Sequence, residues 1–400
     1  MTAEGKTFHK SPELKGIVQR QLDRSYHSPL IDKVRASGFS LKAGCLEIHL
    51  AEEFGFCYGV ERAVEYAYET RARFPDRRIF LTNEIIHNPR VNAELQGMGV
   101  KILTDQASRS EITEKDVVIM PAFGVPVEAL REFQKKRCVI VDTTCGSVMS
   151  VWRRVESYSR DGFTSVIHGK YDHEETRATC SRAAKYLVVK DRRQAEQVCQ
   201  YIAGLGPATI RRTGPSSGGT RDSFLASFKD ACSEGFNPDK DLGKIGFANQ
   251  TTMLSRESIE ISDMLRDALR VRYGEGELPD RFRHFDTICS ATQDRQDAIR
   301  ELGEKKMDVI LVIGGYRSSN TGHLVEIASE FCPAFHVEDA TSLISQEKIR
   351  HKKTGARDIL ETSGWLPPGK IKVGITAGAS TPNRVVEEVI QRLIDISGGT

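Results

Sequence analysis

From residue 45 onward, short β-rich apolar runs alternate with amphipathic stretches of helical period, a pattern that predicts parallel strands joined by helices. The strands expected are Leu46–Leu50, Arg78–Leu81, Val117–Met120, Val139–Val141, Thr164–His168, Tyr186–Val189, Lys244–Phe247, Val309–Ile313 and Lys372–Ile375. Apolar positions at helical spacing predict helices over Val60–Thr70, Val127–Gln134, Val148–Ser159, Arg193–Ala203, Arg256–Tyr273, Gln293–Lys305, Leu324–Glu330 and Val385–Ile394. Residues 1–44 are charged, carry little strand signal, and read as an extension lying on or before the core. Thr213–Thr220 reads as a plain loop, since no strand and helix frame its glycines closely.

A weak internal repeat emerges when the cysteines are sorted by setting. Cys57, Cys145 and Cys289 each stand where a strand hands over to a helix, and the last two share Asp-Thr-x-Cys. Ser290 with Gln293 reads as a capping box behind Cys289. The pattern suggests three similar units, the middle one lengthened by insertion. The expected boundaries are an extension at 1–44, a first α/β unit at 45–145, a second with its insertion at 146–285, and a third with the C-terminal tail at 286–400. Cys45, Cys138, Cys180, Cys199, Cys232 and Cys332 share no such frame and read mostly as core filler.

Composition narrows the class. The 400 residues are 39% hydrophobic and 28% charged, an ordinary globular balance with room for two or three domains. A formal net charge of +2 leaves no global field to recruit nucleic acid or an acidic membrane. The longest aliphatic run, Val309–Ile313, falls far below the ~20 residues of a membrane span. The first residues lack the apolar core of a secretory signal and the composition of a transit peptide, so a cytoplasmic location is expected. No C-x-x-C occurs among the nine cysteines, so any joint role requires them to converge from distant positions.

Helix N-termini favour thiolate, and parallel α/β units gather functional groups outside their strand ends. Three such thiolates aimed at one point could hold a zinc with an open site, or a 4Fe–4S cluster with one iron unligated. Neighbouring junctions carry anion chemistry. Gly314-Gly-Tyr-Arg-Ser-Ser-Asn offers Ser318, Ser319 and Asn320 at a helix start, a natural phosphate seat. Ala377-Gly-Ala-Ser-Thr-Pro382 offers Ser380, whose bland reading with Thr381 is a helix cap. Glu84-Ile-Ile-His-Asn-Pro89 places His87 beside another helix start. His173-Glu-Glu-Thr176 supplies Glu174 and Glu175, either a solvated pair or a proton source if burial raises a pKa. Asn249-Gln-Thr-Thr252 adds adjacent hydroxyls.

Taken with Phe56-Cys-Tyr-Gly-Val-Glu-Arg-Ala, Asp286-Thr-Ile-Cys-Ser-Ala-Thr and Val141-Asp-Thr-Thr-Cys, these motifs resemble the 4-hydroxy-3-methylbut-2-enyl diphosphate reductases, which close the non-mevalonate isoprenoid route. The match runs in order over about residues 45 to 394, and the wording His168-Gly-Lys-Tyr-Asp-His resembles the longer plastid and cyanobacterial branch. The resemblance implies an α/β trefoil of three units around one 4Fe–4S cluster held by Cys57, Cys145 and Cys289. It implies diphosphate binding by His87, Ser318, Asn320 and Ser380, with Ser319 in the same cradle. His173 and Thr251 would sit beside the substrate hydroxyl, and Glu175 would donate the proton. The reaction implied removes an allylic hydroxyl with two electrons and two protons, giving isopentenyl or dimethylallyl diphosphate. With no dinucleotide fingerprint, the electrons would come from a partner such as reduced ferredoxin or flavodoxin. One departure stands out: Phe123 occupies the place of a second diphosphate-binding His, and Lys170 or Arg317 could substitute for it. Two other classes remain open, a different three-cysteine hydro-lyase or condensing enzyme and a non-enzymatic iron–sulfur sensor. The neutral charge weighs against the sensor.

Overall fold

The computed structural model describes residues 12–103, 105–204, 221–285, 287–353 and 358–398; Thr213–Thr220 and Asp286 lie outside them. In chain order the first elements are α1 (Pro12–Tyr26), α2 (Pro29–Ala36), β1 (Ser40–Ala43), β2 (Leu46–Leu50), α3 (Tyr58–Arg73), β3 (Ile79–Leu81), α4 (Pro89–Gly97), β4 (Val100–Ile102), α5 (Gln106–Ser110), β5 (Val117–Met120), α6 (Val127–Lys135) and β6 (Val139–Asp142). The middle of the chain forms α7 (Gly146–Arg160), β7 (Thr164–His168), α8 (Glu174–Cys180), β8 (Tyr186–Val189), α9 (Arg192–Gly204), α10 (Arg221–Ser227), α11 (Pro238–Asp241), β9 (Ile245–Asn249), α12 (Ser255–Tyr273), α13 (Leu278–Arg281) and β10 (Phe282–His284). The last stretch holds α14 (Ser290–Glu304), β11 (Val309–Ile313), α15 (Ser319–Ala328), β12 (Ala334–Val337), β13 (Lys348–Lys352), β14 (Ile359–Ser363), β15 (Ile371–Ala377) and α16 (Asn383–Ile396).

Two compact units result, one from Met1–Ala122, Phe133–Thr144 and Ser290–Thr400, the other from Phe123–Glu132 and Cys145–Cys289. The first unit contains two sheets. One runs β1-β2-β15-β11-β12-β13-β14, parallel from β2 to β12 and antiparallel at both edges. The other is all parallel, in the order β4-β3-β5-β6. Residues 46–50 pair with 371–375, so the segment 45–145 feeds both sheets. The second unit has one parallel sheet, β10-β9-β7-β8.

Parallel strands covered on both faces read as unbroken apolar runs. β5, β7, β9 and β11 are buried at every position; β5 and β11 are unbroken apolar runs, while β7 and β9 also bury Thr164, Ser165, His168 and Asn249. Each expected strand and helix is present; Leu46–Leu50, Val117–Met120, Thr164–His168, Tyr186–Val189 and Val309–Ile313 keep their expected ends, and the others are displaced at one or both ends. The extension is more ordered than its sequence signals: β1 pairs with β2, and α1 lies on the core through Val18 and Tyr26. The Tyr26 hydroxyl meets that of Tyr68 at 2.9 Å, and its ring lies 5.5 Å from Phe56, the residue before Cys57.

Candidate functional site

In the first unit, β2, β15 and β11 are adjacent and parallel, so their outgoing loops lie side by side. These loops carry Cys57, Ser380 and the Ser318–Asn320 run respectively. Ala379 stitches them together. Its carbonyl accepts from the Cys57 N–H at 3.2 Å, and its own N–H donates to Asn320 Oδ1 at 2.9 Å. Gly55 permits this approach, with φ at +79° and no space for a Cβ, which would come 2.8 Å from Asn383 Oδ1. Asn320 is 4% exposed, and its Nδ2 has no hydrogen-bond partner among the described residues. The buried Ser319 Oγ is likewise unpartnered, while Ser318 caps α15 by accepting from the Thr321 N–H at 3.2 Å. Buried donors at a helix N-terminus suit a phosphate. Ser380 is no helix cap: Pro382 holds that position, and Ser380 Oγ donates to the His87 carbonyl at 3.3 Å. Thr381 does not cap either, because its hydroxyl donates to the Ile313 carbonyl at 3.1 Å.

His87 leaves β3 in the same unit and is buried, with Nδ1 2.9 Å from Glu84 Oε2. The second Glu84 oxygen pairs with Arg317 at 3.2 Å. Glu84 thereby orients the imidazole and ties Arg317 to the same loops. Its cue in the sequence is the three-residue spacing from His87. Gly315 packs so closely that a Cβ would fall 2.4 Å from the His87 carbonyl oxygen. The outer strands hold this loop from behind. His336 Nε2–H donates to the Gly314 carbonyl at 2.9 Å, the Tyr316 N–H donates to Glu338 Oε1 at 3.2 Å, and Lys352 Nζ donates to the Tyr316 carbonyl. Burial pushes the His336 ring down to about 4, so it is neutral at pH 7, and burial pushes Glu338 up from the usual carboxylate range.

In the second unit, β10, β9 and β7 are again adjacent and parallel, leading to Cys289, to Thr251, and to His173 with Glu175. Thr251 is the junction. Its N–H donates to Glu175 Oε1 at 2.6 Å, its hydroxyl to Oε2 at 3.0 Å, and its carbonyl accepts from the Cys289 N–H at 3.4 Å. Glu175 is 1% exposed, so the solvated-pair reading fails for it, whereas Glu174 is half-buried. His173 caps α8, its Nδ1 accepting from the Glu175 N–H at 3.2 Å, which assigns the proton of the neutral ring to Nε2. Phe123 meets the His173 ring edge-on, with centroids 5.4 Å apart at 80°. Phe123 thus braces His173. Gln250 locks the two loops, accepting from the Lys170 N–H and the Thr176 hydroxyl at 3.1 Å each. Lys170 itself is exposed.

The cysteines divide by environment. Cys57 and Cys145 are the N-caps of α3 and α7, helices of 16 and 15 residues, and neither uses its side chain as a cap. Cys289 immediately precedes α14. Ser290 lies inside that helix rather than at its cap, and Gln293 Nε2 donates forward to Asp297 at 2.8 Å, so the expected capping box gives way to a helix starting one residue earlier. Burial pushes the thiols up to about 11 at Cys138 and about 12 at Cys180 and Cys199, and raises Cys232 and Cys332 as well. Those five are poor thiolates. Cys57, Cys145 and Cys289 are each a soft sulfur donor at the start of a helix, the kind of ligand an iron–sulfur group takes.

No helix among the described residues is long and apolar enough to cross a membrane. Parallel α/β sheets whose strand ends carry thiols, buried donors of the kind that suit a phosphate, and a buried carboxylate suit an α/β oxidoreductase. The LytB protein family model matches residues 48–394, and the chain belongs to that family, as its motifs indicated. The 4-hydroxy-3-methylbut-2-enyl diphosphate reductase of Gloeobacter violaceus is 48% identical over 399 residues, covering 98% of this chain and 93% of the relative. The enzyme of the same name from a Synechococcus species is 47% identical over 395 residues, covering 98% and 95%. A solved structure of (E)-4-hydroxy-3-methyl-but-2-enyl diphosphate reductase, the terminal enzyme of the non-mevalonate pathway, superposes with a TM-score of 0.51 at 25% identity, covering 87% of this chain and 99% of that one. The Plasmodium falciparum E-1-hydroxy-2-methyl-but-2-enyl-4-diphosphate reductase shares the fold, with a TM-score of 0.61 at 20% identity and 86% of each chain covered.

Proposed function

We propose that this chain reduces (E)-4-hydroxy-3-methylbut-2-enyl diphosphate to isopentenyl and dimethylallyl diphosphate, at a 4Fe–4S cluster held by Cys57, Cys145 and Cys289. The observation that carries the reading is the junction at Ala379, which joins the main chain of a thiol-bearing helix start to Asn320 of a buried phosphate seat. An iron–sulfur enzyme acting on an allylic diphosphate requires both chemistries within one set of loops.

The cluster, when bound, would supply electrons and a Lewis-acidic open iron. The remaining work falls to side chains. Asn320 Nδ2, Ser319, Ser318 and Ser380 would bind diphosphate oxygens, and His87, oriented by Glu84, would add a charge-assisted contact if protonated. Arg317, held by the same carboxylate, is the candidate for the cation that Phe123 cannot supply. Diphosphate binding contributes positioning. Glu175 would hold a proton at Oε2 and pass it through the Thr251 hydroxyl, with His173 Nε2–H directed to the substrate hydroxyl. One proton leaves with the hydroxyl as water, and the second is placed at either end of the allyl fragment. Two electrons from reduced ferredoxin or flavodoxin balance the step, and a cytoplasmic setting suits thiols that must stay reduced.

The test is anaerobic turnover of this diphosphate with a chemical reductant, following both products. Reductant-dependent formation of both is expected. Turnover without external electrons would favour a hydro-lyase instead. Tight diphosphate binding with no product under strong reduction would favour a sensor.

A further inference from the structure

Arg295, on α14, is 4% exposed, yet its hydrogen bonds among the described residues all go to carbonyl oxygens. It donates through one terminal nitrogen to Ala291, one turn back, at 2.7 Å. Through the other it reaches Gly55 at 2.7 Å and Phe56 at 3.3 Å, the two residues before Cys57. Its Nε is buried with no hydrogen-bond partner among the described residues. Glu61, a carboxylate that feels this charge, is itself held up by burial.

Burying a guanidinium without a bonded counter-charge is costly, and removing solvent makes its field reach further. Such a group is stable beside a site that becomes negative. Three thiolates and a cluster that accepts an electron make such a site, and the net charge around a cluster helps set its potential. The fork geometry matters separately, since one terminal nitrogen anchors the planar group to Ala291 of its own helix while the other holds the Gly55 and Phe56 carbonyls, and hence the main chain that presents Cys57.

We propose that Arg295 is a positioning residue for Cys57 and a charge that favours the reduced cluster, an inference resting on the assignment of Cys57 as a cluster ligand. The loop before Cys57 is bound to α14 by its two carbonyl contacts, and the guanidinium, hydrogen-bonded to no carboxylate among the described residues, makes the electron-rich state easier to reach.

The experiment uses anaerobically purified holoenzyme, wild-type and with Arg295→Lys or Arg295→Gln. Three quantities are read: iron and sulfide content, iron release to a chelator, and the midpoint potential from a titration followed by electron paramagnetic resonance. Arg295→Gln should shift the potential to more negative values and release iron several-fold faster. Arg295→Lys should keep the wild-type potential, because the charge remains, while still releasing iron faster, because an ammonium does not reproduce the fork. Wild-type potential and wild-type iron release in Arg295→Gln would overturn the proposal. Should Arg295→Gln fail to fold or load, Arg295→Lys decides: faster release supports it, and an unchanged rate overturns it. A wild-type chain without a cluster would instead overturn the assignment on which this inference rests.

Discussion

Thr251 gives both its main-chain N–H and its hydroxyl to one buried carboxylate, meeting Glu175 Oε1 at 2.6 Å and Oε2 at 3.0 Å. The N–H fixes which oxygen faces the backbone. The hydroxyl can reverse its sense: with a proton on Oε2, Glu175 donates and the Thr251 hydrogen is released to point onward. In the proposed mechanism, a carboxyl held this way hands its proton on through Thr251.

Glu175→Gln therefore preserves the fold of the loop, because its amide oxygen still accepts from the Thr251 N–H. Proton transfer is lost, and kcat should fall at least ~100-fold while cluster content and diphosphate affinity persist. Glu174→Gln, half-buried one residue away, should be mild. Single-turnover rates with excess reductant decide; a near-wild-type rate for Glu175→Gln assigns the proton to another group.

Asn320 accepts from the Ala379 N–H with Oδ1 and leaves a buried Nδ2 for ligand. Asn320→Asp keeps the first bond and replaces the donor with a negative charge; Asn320→Ala removes both. Loss of one charge-assisted bond is worth about 1.5–3 kcal/mol, so Asn320→Ala should weaken diphosphate binding about tenfold or more. Asn320→Asp should be worse. A calorimetric titration showing unchanged affinity in either variant removes this loop from the diphosphate site.

His336 makes stability depend on pH in a calculable direction. Its folded pKa is about 4 against 6.5 when free, so between those values the unfolded chain binds a proton that the folded chain refuses. Stability therefore rises with pH across that window, and the full loss on acidification approaches about 3 kcal/mol. His336→Gln keeps an N–H for the Gly314 carbonyl and cannot titrate. Urea midpoints at neutral pH and at pH near ~4.5 should converge in the variant relative to wild type. Equal pH dependence in the two proteins would show that this ring is not the group responsible.

Phe123 braces His173 edge-on, which predicts an asymmetric response. Phe123→His should gain little diphosphate affinity if Arg317 supplies the missing cation, because Glu84 already holds Arg317 in place. Phe123→Ala should lower kcat by loosening His173 while leaving iron content unchanged. A marked rise in affinity for Phe123→His would show that the contact had been lost without replacement.

The parallel core was legible because strands such as Val309–Ile313 are buried on both faces and leave an unbroken apolar signature. The edge was not. β13 and β14 alternate or expose their side chains and depend on pairing with each other, as His351 with Leu360 shows. Cys57, Cys145 and Cys289 were legible because a strand followed by a helix is a local pattern. The local pattern alone did not separate Glu175 from Glu174, and only the family resemblance chose it, since Thr251, supplied by another strand, is what engages it. Arg295 was invisible for the same reason: its two carbonyls lie far away in the chain.

The most direct test of the account is iron and acid-labile sulfide per chain in serine variants of five cysteines, purified anaerobically. Wild type should carry about four of each, the content of one 4Fe–4S cluster. Cys57→Ser, Cys145→Ser and Cys289→Ser should lose cluster-dependent activity and most of that iron, whereas Cys138→Ser and Cys199→Ser, whose thiols burial holds protonated, should keep it. A cluster lost in Cys138→Ser but retained in Cys145→Ser would contradict the assignment.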